Sequence, residues 1–307
     1  MKRIVCLLLV LMLIASLAAC GKKAVTSGSS EQTSSSVSND VATNEVNNTP
    51  KSNYKLAPFT VEPQKIYDTD VATITVTGVN VTNSDDLVFN VDIKNNSSRV
   101  LSVSSLYIIV NGLTLPASLY ETLESGKQSS VDLTIYDRDL SISGIKEFAD
   151  VTVYLELKDQ NSLEDLDKCS AHIKTSTEKE GYREEFNITK PIYTKDGLQI
   201  EYKEKVNLSD YGDACDYLIF KVKNDNKFPL EANVSEAYLN DTKVNAHAEN
   251  INVAPNSCSY MIVHLSDKSY SNIKTLSGKV DLKFWCCSFD GEENYDSGYS
   301  DLVTIEV

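Results

Sequence analysis

The chain is poor in cations, in histidine and in cysteines spaced for metal, and each shortage removes a class of function. Against 44 Asp and Glu, its 307 residues carry 29 Lys and Arg, a net charge of −15. Such a surface repels phosphate backbones and argues against nucleic acid as a partner. A cation, a basic peptide or plain solubility fits the balance better. The three histidines, His172, His247 and His264, fall on separate predicted segments. No Ser or Cys stands in a nucleophile setting such as GxSxG, so no triad can be drawn and no catalytic residue is assigned. None of the seven cysteines forms a CxxC pair, so the usual thiolate metal site is missing. Long apolar runs are also lacking. The longest, Ile4 to Leu17, is fourteen residues, short of the roughly 20 that a spanning helix needs. The composition is rich in Tyr, Thr, Val and Ser, which favours strands.

That apolar run follows Lys2 and Arg3 and stops at Cys20, the pattern of a secretory targeting segment. Its end, "LAAC", resembles the lipobox of bacterial lipoproteins. The resemblance implies that residues 1–19 are a signal peptide and that Cys20 becomes the lipidated first residue of the mature chain. Fatty-acyl (palmitate-type) chains there would hold the protein on the extracytoplasmic face of a cell membrane. Removal of Lys2 and Arg3 with this segment leaves 27 basic against 44 acidic residues, a charge of −17. Residues 20–53 then read as a tether. Gly21 to Asn53 holds no aromatic residue, and nineteen of its thirty-three residues are Gly, Ser, Thr or Asn. Too little apolar surface exists there to offset chain entropy, so disorder is expected, with a mean reach of roughly 30 Å.

Beyond the tether the sequence repeats itself. "FTVEPQKIYDTDVATITV", from Phe59, aligns with "FNITKPIYTKDGLQIEY", from Phe186, pairing Ile66-Tyr67 with Ile192-Tyr193, Asp70 with Asp196 and Ile74 with Ile200. "LVFNVDIKNNSSRVL" answers "YLIFKVKNDNKFPL", and "ADVTVYLELKD" answers "GKVDLKFWCCSF". The offset drifts from 126 to about 130 residues. Within each copy apolar residues alternate, as at Leu87, Phe89, Val91 and Ile93, or Leu218, Phe220 and Val222, the period of half-buried strands. Asn111-Gly112 and Asn240-Asp241 mark a hairpin at the same point of each copy. Ile142, Ile145 and Phe148, matched by Tyr270, Ile273 and Leu276, predict one short helical turn per copy.

Short strands at intervals of about ten residues predict an all-β protein of two tandem immunoglobulin-like β-sandwich domains, 54–178 and 186–307. The charged linker 179–185 should leave them as two beads with limited swing. The lipobox, the tether and motifs such as "YDTDVATITVTGV", "IIVNG" and "GIKEFADVTVYLEL" together resemble uncharacterised clostridial-type (Gram-positive) lipoproteins with tandem immunoglobulin-like repeats. That resemblance implies fold and location, and no activity. Gly112 gives way to Asp241 and Gly126 to Asn256 in the second copy, exchanges that left-handed turn positions tolerate.

Five cysteines remain after Cys20: Cys169, Cys215, Cys258, Cys286 and Cys287. Being odd in number, they leave at least one free thiol or an intermolecular bridge. Parity with Val280, Leu282 and Phe284 turns Cys286 into the core and Cys287 away; Cys215, Cys258 and Cys287 remain a pool for a disulfide. His264 alternates with Met261, Val263 and Leu265 and should face outward. The acidic loop Asp290 to Gly298 gathers Asp290, Glu292, Glu293 and Asp296, carboxylates suited to Ca²⁺. Without EF-hand spacing the preferred reading is a solvated hairpin loop, with no metal and no cofactor. The function expected is a non-catalytic surface module that binds an extracellular protein or glycan partner. The alternative is a structural spacer or an accessory subunit of a membrane or cell-wall complex, with an enzyme a distant third. An exposed aromatic patch would separate binding module from spacer.

Overall fold

A computed structural model describes residues 54–208, 214–288 and 298–307. The signal segment, Cys20, the tether and the acidic side chains Asp290, Glu292, Glu293 and Asp296 lie outside the described residues. The chain is an all-β, immunoglobulin-like sandwich protein, and its strands fall into two series of the same order.

In the first series, β1 (Gln64–Asp68), β2 (Ala72–Val81), β3 (Leu87–Asn95) and β7 (Gln128–Ile135) form one sheet in that order. The facing layer is built on β4 (Leu101–Val110), which pairs with β5 (Leu113–Leu115), β6 (Tyr120–Leu123) and β8 (Val151–Asp159). β8 pairs in turn with β9 (Asp165–His172). The second series runs β10 (Tyr193–Lys195), β11 (Leu198–Leu208), β12 (Cys215–Asn224), β13 (Leu230–Leu239), β14 (Thr242–Glu249), β15 (Asn252–Val253), β16 (Ser257–Ser266), β17 (Lys279–Ser288), β18 (Gly298–Tyr299) and β19 (Val303–Glu306). Its pairings reproduce the first series: β10–β11–β12–β16 on one side, and β13 with β14, β15 and β17 on the other.

The correspondence extends to irregularities. Tyr67 faces Ile74 across β1–β2, and Tyr193 faces Ile200 across β10–β11. A bulge at Val76/Gly78 recurs at Tyr202/Glu204, 126 residues on, and one at Ser105/Tyr107 recurs at Val234/Glu236, 129 residues on. Bulges bend a strand at a fixed place and follow from backbone course rather than composition, so their recurrence is the imprint of duplication.

Alternation fills the cores as its period requires. Leu87, Phe89, Val91 and Ile93 are buried with Val151, Val153, Leu155 and Leu157 in one; Leu218, Phe220 and Val222 are buried with Leu282, Phe284 and Cys286 in the other. Phe59 stacks on Phe148 at 5.0 Å in the first, and Phe220 meets Phe284 edge-on at 5.6 Å in the second. Both hairpin turns have two left-handed residues, Asn111 (φ 53°) with Gly112 (φ 82°) and Asn240 (φ 48°) with Asp241 (φ 62°), the geometry that matches strand twist. Asn256 takes φ 48° where Gly126 takes 73°, as its side chain tolerates.

A short helix forms in the first series alone, as α1 (Asp137–Ser143), earlier than predicted: it takes in Ile142, while Ile145 and Phe148 lie beyond its end at Gly144 as buried core residues of the following loop. Asp86 Oδ1 accepts from the Asp137 N–H at its start, and Gly144 closes it at φ 71°. In the second series Asp267 Oδ1 takes the N–H groups of Ser269 and Ser271 and the Ser269 hydroxyl, which gives the backbone a turn instead of a helix.

Candidate functional site

The two series are fastened together, which corrects the picture of beads on a linker. Leu113 of β5 pairs in parallel with Cys258 of β16. The buried Thr114 and Ser257 hydroxyls lie 2.7 Å apart, Thr114 Oγ1 accepts the Ala254 N–H at 3.1 Å, and the Ser259 hydroxyl donates to the Thr114 carbonyl. From the segment before the second series, Arg183 donates to the Asn256 carbonyl at 2.9 Å, while the Glu184 N–H returns to the Asn111 carbonyl. A second contact is made by α1. Arg138 binds Glu249 at 2.6 Å, and Asn250 donates to the buried Asp139 at 2.9 Å. Ile142 packs on an apolar patch of Cys215, Tyr217, Ile219 and Ile262, the outer face of the β12–β16 sheet. A two-residue hairpin and one helical turn thus do what the linker was expected to do alone.

Two clefts open along this seam. The first, about 330 Å³, is lined by Asn111, Arg183, Glu184, Lys223 and Asp225. Its charges are engaged: Lys223 with Asp225 at 2.9 Å, Glu184 with the Asn111 amide at 3.3 Å. The second, about 270 Å³, sets Tyr107 and Tyr154, 4.7 Å apart, opposite Pro229 and Pro255.

The structure brings together two histidines that looked unrelated. His247 and His264 face each other across β14–β16 and stack with ring centres 4.8 Å apart and planes 18° from parallel. Tyr217 meets the far side of His264 edge-on at 5.4 Å, and Tyr270 lies 6.4 Å beyond His247. Four rings thus form one row over three strands and a turn. His264 faces away from the core formed by Met261, Val263 and Leu265, as its alternation requires, and is half-buried there because Tyr217 and His247 flank it. His247 Nε2 lies 3.1 Å from Ser266 Oγ, the spacing of a nucleophile and its base, but Ser266 is fully buried and closed to a substrate. His172 stands apart, with Glu178 at 2.8 Å and Asp150 at 3.8 Å. Among the described residues no group of three or more His, Cys, Asp or Glu is placed to hold a metal ion.

All five described cysteines are free thiols. Cys258 faces Lys223 across β12–β16, eight residues along the strand from Cys215, which is roughly 26 Å and far beyond disulfide reach. Cys287 belongs to β17 in the opposite layer, so the pool of three provides no bridge. Cys286 is fully buried as its parity requires. Burial pushes the Cys169 and Cys258 thiols up to about 11 and the Cys286 thiol up to about 12.

Tyr270 is 73% exposed, and Tyr120, Tyr136 and Tyr299 are exposed elsewhere. Sequence reading had no means to select Tyr270 from sixteen tyrosines. Its neighbours in the row come from β14, β16 and β12, and only pairing register aligns them.

No protein-family model matches the chain, and no curated protein matches it. Among solved structures, the Salmonella enterica SafA pilin in complex with the SafB chaperone aligns at 12% identity over 72% of this chain and 89% of that one, with a TM-score of 0.19. The YadV chaperone aligns at 12% over 69% and 90%, with a TM-score of 0.21. A protein of unknown function from Porphyromonas gingivalis W83 aligns at 10% over 75% and 95%, at 0.20. At these scores the matches carry no inference about function.

Proposed function

We propose that the protein is a non-catalytic lipoprotein of the cell surface, anchored through Cys20, whose fastened repeats bind an extracellular protein or glycan partner. The observation that supports it is the aromatic row ending at Tyr270. A tyrosine left in water next to two stacked imidazoles is an apolar anchor of the kind a binding face uses. The hydrogen-bonded seam supports the second reading, a stiff spacer, since a spacer needs fixed geometry and no anchor. Crosslinking on intact cells separates them: a binding module yields a discrete attached protein or glycan, a spacer none. The anchor is tested by Cys20→Ala, which should release the protein to the medium or leave an uncleaved precursor. A mutant that is correctly processed and stays membrane-bound would overturn the assignment.

A further inference from the structure

We propose that the first seam cleft, about 330 Å³, is a receptor for a small zwitterion, an α-amino acid or dipeptide that carries both an ammonium and a carboxylate. The site goes beyond the binding-module reading and does not depend on the aromatic row. Its walls come from three parts of the chain: Asn111 and Gly112 from the β4–β5 hairpin, Arg183 and Glu184 from the connecting segment, and Lys223 and Asp225 from the end of β12 and just past it.

Arg183 carries the argument. In a chain with 44 acidic residues its guanidinium has no carboxylate partner: among the described residues it donates only to the Asn256 carbonyl, through Nη1 at 2.9 Å. The remaining N–H groups of its five form the planar fork that holds a carboxylate by two parallel bonds. The placement is built into the fold. A Cβ at residue 112 would come within 3.1 Å of Arg183 Cγ and Nη1, so glycine there lets the arginine stem lie across the hairpin. The Glu184 N–H, bonded to the Asn111 carbonyl at 2.8 Å, fixes the backbone beside it.

The opposite charge stands in the same cleft. Glu184 Oε1 receives the Asn111 amide at 3.3 Å, and its Oε2 accepts no bond among the described residues. Asp225 is tied to Lys223 at 2.9 Å in a pair 37% and 48% exposed, and exposed pairs of this kind give up a partner at little cost.

Charge complementarity selects the class of ligand. Two cations and two anions leave the cleft locally neutral on a chain of net charge −15. A simple anion meets Glu184, Asp225 and that net charge. A simple cation is drawn by the net charge but meets Arg183 and Lys223 at the cleft itself. A molecule with both signs finds a counter-charge for each. The floor suits an apolar side chain: half-buried Phe186 is braced edge-on against Tyr260 at 5.3 Å, and burial pushes the Cys258 thiol up to about 11, so it is uncharged at neutral pH. The volume falls at the lower end of small-molecule sites, which favours one or two residues over a longer peptide.

The test is calorimetric titration of the full chain, purified in detergent, with L-leucine and L-alanyl-L-leucine as zwitterions. The controls are N-acetyl-L-leucine, which lacks the ammonium, and L-leucinamide, which lacks the carboxylate. The expected result is saturable binding of at least one zwitterion and binding tenfold or more weaker for both controls. The melting temperature should rise with zwitterion concentration, because the ligand joins walls from both repeats. Arg183→Gln and Glu184→Gln should each weaken binding tenfold or more while the free protein keeps the circular dichroism of the parent, and Lys65→Gln, on the exposed face of β1, should leave it unchanged. Binding of leucine alone or of the dipeptide alone would uphold the proposal and decide the size of the ligand. No saturable binding of either zwitterion, equal binding of a single-charge control, or zwitterion binding indifferent to Arg183→Gln would each overturn it.

Discussion

Asn95 and Asn224 occupy the same place in the two repeats, fully buried at the inward-facing end of a core strand, and each turns its amide back onto the chain that leaves it. Asn95 donates to the carbonyls of Arg99 at 2.7 Å and Leu123 at 2.9 Å and accepts the Ser97 N–H. Asn224 donates to Phe228 at 2.9 Å and Val253 at 3.1 Å and accepts the Asn226 N–H. Replacement by Ala strands several buried backbone groups, each worth about 1–3 kcal/mol when left unpaired. Asn95→Ala and Asn224→Ala should each lower stability by about 2–4 kcal/mol in urea melts. A loss below about 0.5 kcal/mol for either would show the bonds to be dispensable.

The seam between the repeats should be breakable at one hydroxyl. Thr114→Val keeps shape but removes the partner of Ser257 and of the Ala254 N–H, both buried. The expected cost is about 1–3 kcal/mol. It should appear with Ser257→Ala as a non-additive pair in a double-mutant cycle, and as a broader distance distribution in small-angle scattering. Additive effects with unchanged scattering would place the coupling elsewhere in the interface.

Asp216 gives stability a definite acid limb. Burial raises its carboxyl, but the Asn207 amide at 2.9 Å, the Leu276 N–H at 2.8 Å and Lys205 at 3.5 Å outweigh it, so the folded value lies below the ordinary 3.8. The contribution is therefore fully present above pH 3.8 and disappears as pH falls through the lower folded value. Asp216→Asn should be less stable than the parent at pH 7, and the gap should narrow below about pH 4. A gap independent of pH would show that the carboxylate charge is not what stabilises.

The thiols should react in an order set by burial. With Cys258 and Cys169 pushed up to about 11, little thiolate exists at pH 8, and iodoacetamide should label both slowly in the native protein. Cys286, fully buried, should be labelled only after unfolding, while its half-buried neighbour Cys287 reacts earlier. Peptide mass spectrometry in native and denaturing buffer reads the order. Native labelling of Cys286 at the rate of Cys287 would mean that β17 opens.

Strand faces, both hairpins, the internal repeat and the inward turn of Cys286 were legible in residues 54–307 because each depends on neighbours a few positions apart. Alternation assigns a face, Asn-Gly or Asn-Asp supplies left-handed turns, and a duplicated pattern declares itself by its offset. Asn95 and Asn224 left a signal too, as the polar residue both copies place at inward parity, though its meaning needs the carbonyls it collects. The second helical turn was misread because Ile273 and Leu276 carry the right spacing while Asp267 offers the backbone a competing set of bonds. The sequence alone therefore determined the all-β sandwich fold and the faces of its strands. What only the tertiary structure decided is how surfaces meet: Thr114 on Ser257, Arg138 on Glu249, His247 on His264. The first two pairs join residues more than a hundred positions apart through polar groups that carry no periodicity, and the histidine stack depends on the register of β14 against β16. Their energy comes from matched geometry after folding, which no local pattern encodes.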